Sequence, residues 1–414
     1  MRVALLSYRS KPHCGGQGVY VRHLSRELAA LGHQVMVLSG PPYPELDDVP
    51  GLTLTRLPGL DLYREPDPFR LPRPSEYRSV LDIVDVALMC TAAFPEPLTF
   101  SLRALAHLAG LPAGERPDVV HDNQTLGYGL TLLQWAGFPV LATVHHPITV
   151  DRRVDLAAGR GLRKRLSVRR WYSFLPMQGR VVRRLPAVLT VSDTAAADIV
   201  RDFGVAPERV TTVPLGVDTE VFAPSAVPRV PGRIVAAASS DTPIKGVVPL
   251  LEAVAKLRTE RDVELIVVGA AKAGGRVRRA IERLGLNDAV RFLSGLTEEA
   301  LVEVFAGAEV GVVPSLYEGF SLPAVELMAC ATPLVVTTAG ALPEVVGPAG
   351  TAALHVPPGD PEALAVALGR LLDDPVEAAV LGAGGRARVL ERFTWRAVAE
   401  QTARAYAELL ATAC

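Results

Sequence analysis

The segment of residues 314–326 contains the densest group of side chains that could do chemistry. Glu318 and Glu326 are separated by seven residues, and a helix is predicted to begin near Leu322. Pro323 falls in its first turn, where a missing N–H costs little. The amides that open a helix have no partner within it and attract phosphate. Carboxylate acceptors for sugar hydroxyls therefore stand beside amide donors for phosphate, which favours a nucleotide-sugar site.

The two carboxylates also have other interpretations. Glu318 could be a surface charge on a loop, and Glu326 an acid that the helix dipole favours. They could instead be the acid pair of a glycosidase, whose carboxylates lie about 5–9.5 Å apart. No aromatic residues are evident to line a sugar groove, and a phosphate-binding helix start lies between the acids. The nucleotide-sugar interpretation is therefore preferred.

Lys245 comes shortly after the first predicted strand of the second half of the chain, and Gly246 follows it. A lysine just before a helix can neutralise a pyrophosphate leaving group as it departs. A single lysine is more often a solvated loop side chain. The nearby Glu318 segment in the same half favours the catalytic interpretation.

A glycine-rich loop, Gly15-Gly16-Gln17-Gly18, follows the first predicted strand. Such a loop lets the backbone approach a phosphate or sugar, and parallel strands bind ligands at their carboxyl ends. Val21 replaces the third glycine of the dinucleotide fingerprint, which disfavours a dehydrogenase. The alternative is a tight turn without a ligand.

Polar residues end two further strands of the first half. His145 follows the strand predicted over residues 140–144, and His146 points the other way by strand alternation. A neutral His145 could hydrogen-bond a sugar hydroxyl, or it could be a satisfied core histidine. His121, Asp122 and Asn123 end the preceding strand. Together with His146, they are the candidates for the acceptor side.

Length and composition indicate an ordinary globular protein of two domains. The chain has 414 residues, and its net charge of −1 disfavours a general nucleic-acid binder. Its four cysteines lack C-x-x-C spacing, so neither a zinc site nor a disulfide framework is predicted. No apolar run has the length and continuity of a membrane span, so we expect a cytoplasmic protein.

Strands and helices alternate twice along the chain, on either side of a Pro- and Gly-rich linker at residues 214–232. This pattern predicts an α/β protein with two doubly wound domains. Residues 1–214 form the first domain and residues 215–394 the second. Residues 41–75 are predicted to be an irregular insertion with at most one short strand.

Residues 160–184 carry nine basic residues and no acidic ones, interleaved with aromatic side chains. A solvated basic face on a core helix is the preferred interpretation. The alternative is peripheral contact with an anionic membrane surface or with a phosphorylated acceptor.

Taken in order, these motifs resemble the family-4 retaining glycosyltransferases of GT-B fold. The resemblance spans nearly the whole chain and is most specific in the segment from Glu318 to Glu326. It also includes Lys245-Gly246, the Gly15-Gly16 loop and the strand that ends at His145. It implies two Rossmann-like domains facing a cleft, with a C-terminal helix at residues 395–414 that packs back on the first domain.

The resemblance also implies roles for the site residues. Glu326 would bind the ribose and Glu318 the donor hexose, while Lys245 would hold the diphosphate. His145 would contact the transferred sugar. The other donor-binding residues implied are Gly15, Gly16, Ser239, Ser240, Gly319, Phe320, Ser321 and Leu322. Catalysis would need neither a metal nor another cofactor.

The sequence departs from the family pattern before Lys245. Family members often carry an arginine about six residues earlier as a second diphosphate clamp, and here Ser239 and Ser240 occupy that place. Either another arginine supplies the charge or the phosphates are held more weakly. The donor is expected to be a UDP-linked hexose. The acceptor, which could be a sugar, a lipid-linked molecule or another small molecule, is not identified.

Three alternatives remain. A GT-B epimerase would change the nucleotide sugar without an acceptor, and a phosphorylase would require inorganic phosphate. A non-catalytic sugar-nucleotide-binding protein is kept open by Ser239 and Ser240.

Overall fold

The computed structural model describes residues 1–10, 16–64, 67–158, 161–238 and 242–413. Its contacts divide the chain into two compact units. The N-terminal unit contains residues 1–191, 195–213 and 398–414, and the C-terminal unit contains residues 192–194 and 214–397.

The N-terminal unit is built on a seven-stranded parallel sheet of order β3-β2-β1-β4-β5-β6-β7. The central strands β4 and β5 are buried along their whole length, as expected for a sheet covered on both faces. The strands are β1 Arg2–Ser7, β2 Gln34–Ser39, β3 Leu52–Arg56, β4 Val119–Asn123, β5 Val140–Val144, β6 Ala187–Thr190 and β7 Val210–Thr212.

Among the described residues, eight α-helices come before the second sheet. They are α1 Gly16–Ala30, α2 Val80–Cys90, α3 Glu96–Ala109, α4 Tyr128–Trp135, α5 Thr149–Ala158, α6 Leu162–Trp171, α7 Leu175–Val182 and α8 Asp193–Phe203. The basic stretch that was predicted as one helix is divided by a 3-10 turn at Tyr172–Phe174 into α6 and α7.

The C-terminal unit has a six-stranded parallel sheet of order β10-β9-β8-β11-β12-β13. Its strands are β8 Val230–Ala237, β9 Glu264–Val268, β10 Val290–Leu293, β11 Ala308–Val313, β12 Leu334–Thr337 and β13 Leu354–Val356. Its helices are α9 Val247–Leu257, α10 Arg276–Leu284, α11 Glu298–Ala306, α12 Leu322–Ala329, α13 Leu342–Val346, α14 Pro361–Asp373 and α15 Pro375–Arg392.

The final helix, α16, spans Trp395–Ala413, and from residue 398 it belongs to the N-terminal unit. Two short elements, β13 and α13, were not predicted, since three and five residues show no clear period. The linker between the two sheets is shorter than the predicted residues 214–232, because β8 already begins at Val230. Among the helices of the described residues, none has the length and hydropathy needed to cross a membrane.

Candidate functional site

Lys245 and Glu318 are brought together in the C-terminal unit. A 3-10 turn at Pro243–Lys245 follows β8, and the Nζ of Lys245 donates to Glu318 Oε1 at 2.7 Å. The Oγ of Ser315 donates to the same carboxylate oxygen at 2.7 Å. The two residues predicted to act on the donor therefore form an ion pair, in which the Glu318 side chain is only 12% exposed.

Gly246 allows the turn that carries Lys245 to lie directly against the loop after β11. Its φ of 65° is in the left-handed region, and an added Cβ would lie 1.8 Å from the carbonyl oxygen of Pro314. The amide of Leu316 also donates to the Ile244 carbonyl at 2.7 Å. Any larger residue at position 246 would push the turn away from the loop.

The loop that carries Glu318 is held from its other side by the chain that follows β12. The amide of Ala341 donates to the Glu318 carbonyl at 2.9 Å. Gly340 approaches the same carbonyl so closely that a Cβ would lie 2.2 Å from it. Thr337 Oγ1 donates to the Ser315 carbonyl at 2.5 Å. Sequence analysis missed Ser315 and Gly340, whose roles depend on contacts between separate loops.

Helix α12 begins directly after this loop, and Ser321 is its N-cap. The Oγ of Ser321 accepts from the Ala324 amide at 3.4 Å, and the φ of Ser321 is 101°. Phe320 is buried and packs edge-on against Phe393, with ring centroids 5.7 Å apart. The loop therefore enters the helix in a strained but firmly packed conformation.

Four consecutive amides at this helix start donate no hydrogen bond to any residue that the structure describes. Unpaired N–H groups at a helix start carry partial positive charge and form an anion site. The residues are Gly319, Phe320, Ser321 and Leu322.

Glu326 lies about one turn into α12 and is half-buried. Its carboxylate accepts no hydrogen bond from the described part of the chain. Burial raises its pKa to about 7, and the negative charge of Glu298 adds to the rise. A carboxylate without donors at such a position is suited to bind the hydroxyls of a ligand.

A cavity of about 540 Å³ opens beside the Lys245 turn. Pro243 and Leu316 form part of its wall, and α10 adds Arg276, Arg279 and Arg283. Arg279 donates to the Gly274 carbonyl and Arg283 to Glu252. The guanidinium of Arg276 has no partner among the described residues, so it is available to a ligand.

Three of the predicted donor residues, Gly15, Ser239 and Ser240, lie outside the described residues. Gly16 is the first residue of α1.

His145 is held in one orientation at the end of β5. Its Nε2–H donates to Asn123 Oδ1 at 2.7 Å, and its backbone amide donates to Gln124 Oε1 at 2.7 Å. The ring of Tyr20 packs edge-on against the imidazole at 4.8 Å. Burial lowers the pKa of His145 to about 3, so the ring is neutral and its Nδ1 is an acceptor.

A second histidine, His121, which was also predicted on the acceptor side, is the centre of a buried network. His121 Nε2 lies 2.7 Å from Thr143 Oγ1, and its Nδ1 lies 2.6 Å from the hydroxyl of Tyr406 on α16. Thr143 also pairs with the Tyr20 hydroxyl at 3.0 Å. Burial lowers the pKa of His121 to about 3. The network joins the last helix, β4 and β5 to the tyrosine that packs on His145.

The remaining acceptor-side candidates have separate partners. Asp122 is fully buried, and its Oδ2 accepts from the Leu126 amide at 2.9 Å, which holds the loop after β4. Burial raises its pKa to about 7. His146 instead lies 3.1 Å from Asp151, with 39% of its side chain exposed. The structure therefore brings Asn123 to His145 and places Asp122 and His146 elsewhere.

In the parts of the chain that the structure describes, no group of three or more His, Cys, Asp or Glu side chains could hold a metal ion.

Two family models match the chain. Residues 14–221 match the model described as Glycosyltransferase Family 4, and residues 231–374 match the model described as Glycosyl transferases group 1.

Similar proteins extend over the whole chain. The MMP alpha-(1->4)-mannosyltransferase of Mycolicibacterium hassiacum is 57% identical over 411 residues, which cover 99% of each chain. The D-inositol 3-phosphate glycosyltransferase 2 of Catenulispora acidiphila is 29% identical, over 98% of this chain and 94% of its own.

Solved structures share the fold. Sucrose-phosphate synthase from Thermosynechococcus elongatus has a TM-score of 0.75 at 26% identity, over 99% of both chains. The Anabaena protein Alr3699/HepE in complex with UDP has a TM-score of 0.67 at 17% identity, over 99% of this chain and 100% of its own. With the two family models, the mannosyltransferase relative and the two parallel sheets, these matches show that the chain belongs to glycosyltransferase family 4 and is a glycosyltransferase of GT-B fold.

Proposed function

We propose that the chain is a retaining α-mannosyltransferase, which moves mannose from a nucleoside-diphosphate mannose to the 4-hydroxyl of an acceptor. The name of the 57% identical relative supports the sugar and the linkage. The observation that carries the donor class is the Lys245–Glu318 ion pair beside four unpaired amides at the start of α12.

In this proposal, Lys245 and the four amides bind the diphosphate. Lys245 exchanges its carboxylate partner for phosphate oxygens, and Glu318 is then left to accept hydroxyls of the mannose. As the glycosidic bond breaks, negative charge grows on the diphosphate, and Lys245 with the amides stabilises it. The rate enhancement comes from groups that are already oriented before the reaction.

Glu326 accepts the two ribose hydroxyls in its ionised form, and these donors lower its pKa when the nucleotide binds. The exposed guanidinium of Arg276 supplies the positive charge that family members place before the lysine. His145 accepts a hydroxyl hydrogen of the sugar at Nδ1, as its fixed tautomer allows.

Retention follows from the stereochemistry of donor and product. Nucleotide-linked D-mannose carries the α configuration, and an α-(1→4) product keeps it. The acceptor hydroxyl then attacks from the face that the diphosphate leaves.

The test is product analysis by NMR after incubation with a mannose donor and an α-mannoside acceptor. We expect a new α-(1→4) mannosidic bond and release of the nucleoside diphosphate. A β linkage would overturn retention. Conversion of the donor without an acceptor indicates an epimerase, a requirement for inorganic phosphate indicates a phosphorylase, and no turnover indicates a binding protein.

The base is tested separately. We predicted a UDP-linked donor from the sequence, and thermal unfolding with UDP-, GDP- and ADP-mannose tests that prediction. Only a bound donor raises the melting temperature, by an amount that grows with its concentration relative to Kd.

The basic surface of α6 could still be a solvated face of the helix or a contact surface for an anionic membrane. Leu162 and Leu166 are 85% and 59% exposed there, and arginines surround them. Co-sedimentation with anionic phospholipid vesicles separates the two. Binding that is lost in a Leu162→Ser/Leu166→Ser variant supports membrane contact, whereas no binding supports a solvated face.

A further inference from the structure

Helix α15 packs against the C-terminal unit with only one of its two apolar faces. Its inner face buries Ala378, Leu381, Gly385 and Val389. Gly385 brings the helix so close to α12 that an added Cβ would lie 3.0 Å from Met328 Cγ. A surface helix that is anchored in this way is expected to be polar on its opposite face. The outer face of α15 departs from that expectation.

The outer face carries five exposed apolar residues, which are spaced alternately by four and three positions. The three largest are well exposed, Val376 to 73%, Val380 to 61% and Leu390 to 50%. This spacing aligns side chains in one stripe along a helix, and it is the spacing with which a helix packs on a second helix. We call the stripe the apolar seam, and its residues are Val376, Val380, Ala383, Ala387 and Leu390.

The two arginines in the second half of α15 do not cover the apolar seam. Arg386 donates to the Phe222 carbonyl at 2.7 Å, and Arg388 donates to the Val345 carbonyl at 2.7 Å. Both guanidiniums are therefore directed back to the C-terminal unit. The seam stays open to solvent along about 20 Å of the helix. A contiguous exposed apolar surface of this kind marks a protein interaction site.

The sizes of the seam residues are arranged symmetrically about Ala383. If a second α15 packs antiparallel around a two-fold axis at Ala383, Val376 meets Leu390 of the copy. Val380 then meets Ala387 of the copy. Small residues at the centre let two helices approach where they cross, and larger residues fill the space as the axes diverge. The antiparallel arrangement also pairs the helix dipoles favourably. The seam is therefore complementary to itself.

Charges beside the apolar seam favour the same arrangement. At the start of α15, Arg370 donates to Glu377 at 2.6 Å, and 60% of the Arg370 side chain is exposed. Glu391, near the other end, forms no ion pair with any residue that the structure describes. Glu377 and Glu391 each follow a seam residue by one position, so they lie on the same side of the seam. The two-fold arrangement places Glu391 of the copy beside the Arg370–Glu377 pair, where it can share the guanidinium.

We propose that the apolar seam is the interface of a homodimer, in which α15 packs antiparallel against α15 of a second copy. The seam offers about 500 Å² on each copy, or about 1,000 Å² in total, which is near the lower limit for a specific interface. We therefore expect a dimer that dissociates in the micromolar range. The inference does not depend on the proposed function, since α15 carries none of the donor-site residues.

The first experiment measures the oligomeric state. Sedimentation velocity of wild type from about 1 to about 100 μM should show a shift from monomer to dimer. Ala383→Glu should remain monomeric, because it places two carboxylates opposite each other at the two-fold axis. Ala407→Glu, at an exposed alanine of α16, is the matched control and should dimerise as wild type does. A wild type that is monomeric at every concentration, or a dimer that Ala383→Glu leaves intact, would overturn the proposal.

Thermal unfolding separates a lost interface from a lost fold. Ala383 is exposed and glutamate is a good helix former, so at about 1 μM Ala383→Glu should melt at the temperature of wild type. Association stabilises the folded state in proportion to concentration, so the melting temperature of wild type should rise at about 100 μM. The melting temperature of Ala383→Glu should not rise. An equal rise in both would contradict the seam as the interface.

The second experiment tests the antiparallel register by cysteine cross-linking. The background variant replaces Cys14, Cys90 and Cys414 with serine. In this background, Ala383→Cys should form a covalent dimer on mild oxidation, because the two-fold axis brings the paired Cα atoms to about 6 Å. Val376→Cys should not, since it faces Leu390 of the copy. A covalent dimer of Val376→Cys without one of Ala383→Cys would contradict the register.

Discussion

The candidate donor site and the histidine network use charge in opposite ways. In the C-terminal unit, Lys245 and Glu318 form an ion pair, and Glu326 has a pKa near 7. In the N-terminal unit, burial holds the pKa values of His121 and His145 near 3, so both rings are neutral.

This difference matches the ligands proposed for the two units. A nucleoside diphosphate brings negative charge, which Lys245 can take in exchange for Glu318. The transferred sugar, which His145 is proposed to contact, brings none, and a network of neutral side chains with fixed hydrogen bonds can orient it without a charge to compensate. The comparison predicts that substitutions of the charged residues in the C-terminal unit weaken donor binding or turnover. Substitutions in the neutral network should instead lower the free energy of unfolding.

The largest effect is expected for Lys245→Ala. Its kcat should fall about 100- to 1000-fold, because stabilisation of the leaving diphosphate is lost. Stability should change by less than about 1 kcal/mol, since the Lys245 side chain is 30% exposed and Ser315 still donates to Glu318 in the variant. Initial rates with saturating donor measure the loss. Lys256→Ala on α9, which removes only a surface pair with Glu362, is the control and should remain active.

Tyr406→Phe tests the neutral side of the comparison. It leaves one buried ring nitrogen of His121 without a partner, so we expect a loss of about 1–3 kcal/mol in the free energy of unfolding. Donor affinity should stay the same. Urea denaturation measures the stability, with Tyr128→Phe as the control, since its hydrogen bond to Arg180 is exposed. A stability equal to that of wild type would show that the network contributes nothing.

Glu326→Gln should weaken donor binding about tenfold, which corresponds to one charge-assisted hydrogen bond. Calorimetric titration with the donor measures it. The Glu303→Gln variant, on the exposed face of α11, should bind normally.

The pH dependence follows from the same carboxylate. The ionised form accepts ribose hydroxyls, so the affinity of wild type should rise between pH 6 and 8 and then level off. Because burial raises the pKa of Glu326 in the folded chain, ionisation of this carboxyl opposes folding. The free energy of unfolding should therefore fall as pH rises from about 4.5 through 7. Both dependences should be absent in Glu326→Gln, and an unchanged pH profile in that variant would assign them to another group.

The smallest effect is expected for Arg276→Ala. A solvated guanidinium contributes little to phosphate binding, so the donor KM should rise about threefold. Arg278→Ala on the same helix is the control, because Arg278 packs over Phe292 rather than against the cavity. Equal effects in both variants would mean that Arg276 has no specific role.

The comparison also explains what could be predicted from the sequence. The Glu318 to Glu326 segment is contiguous, so its spacing indicated both acids and the helix that begins between them, and the alternation of strands and helices indicated the two sheets. Gly340 reaches Glu318, and Tyr406 reaches His121 across 285 residues, only through the tertiary fold. No periodicity contains such contacts.

The most direct test of the central claim is calorimetric titration of a nucleoside-diphosphate mannose into wild type and into Lys245→Ala/Glu318→Gln/Glu326→Gln. We predict saturable binding to wild type. The triple variant should show no binding, while its melting temperature without ligand stays close to that of wild type. Undiminished binding to a folded triple variant would contradict the assignment of the donor site.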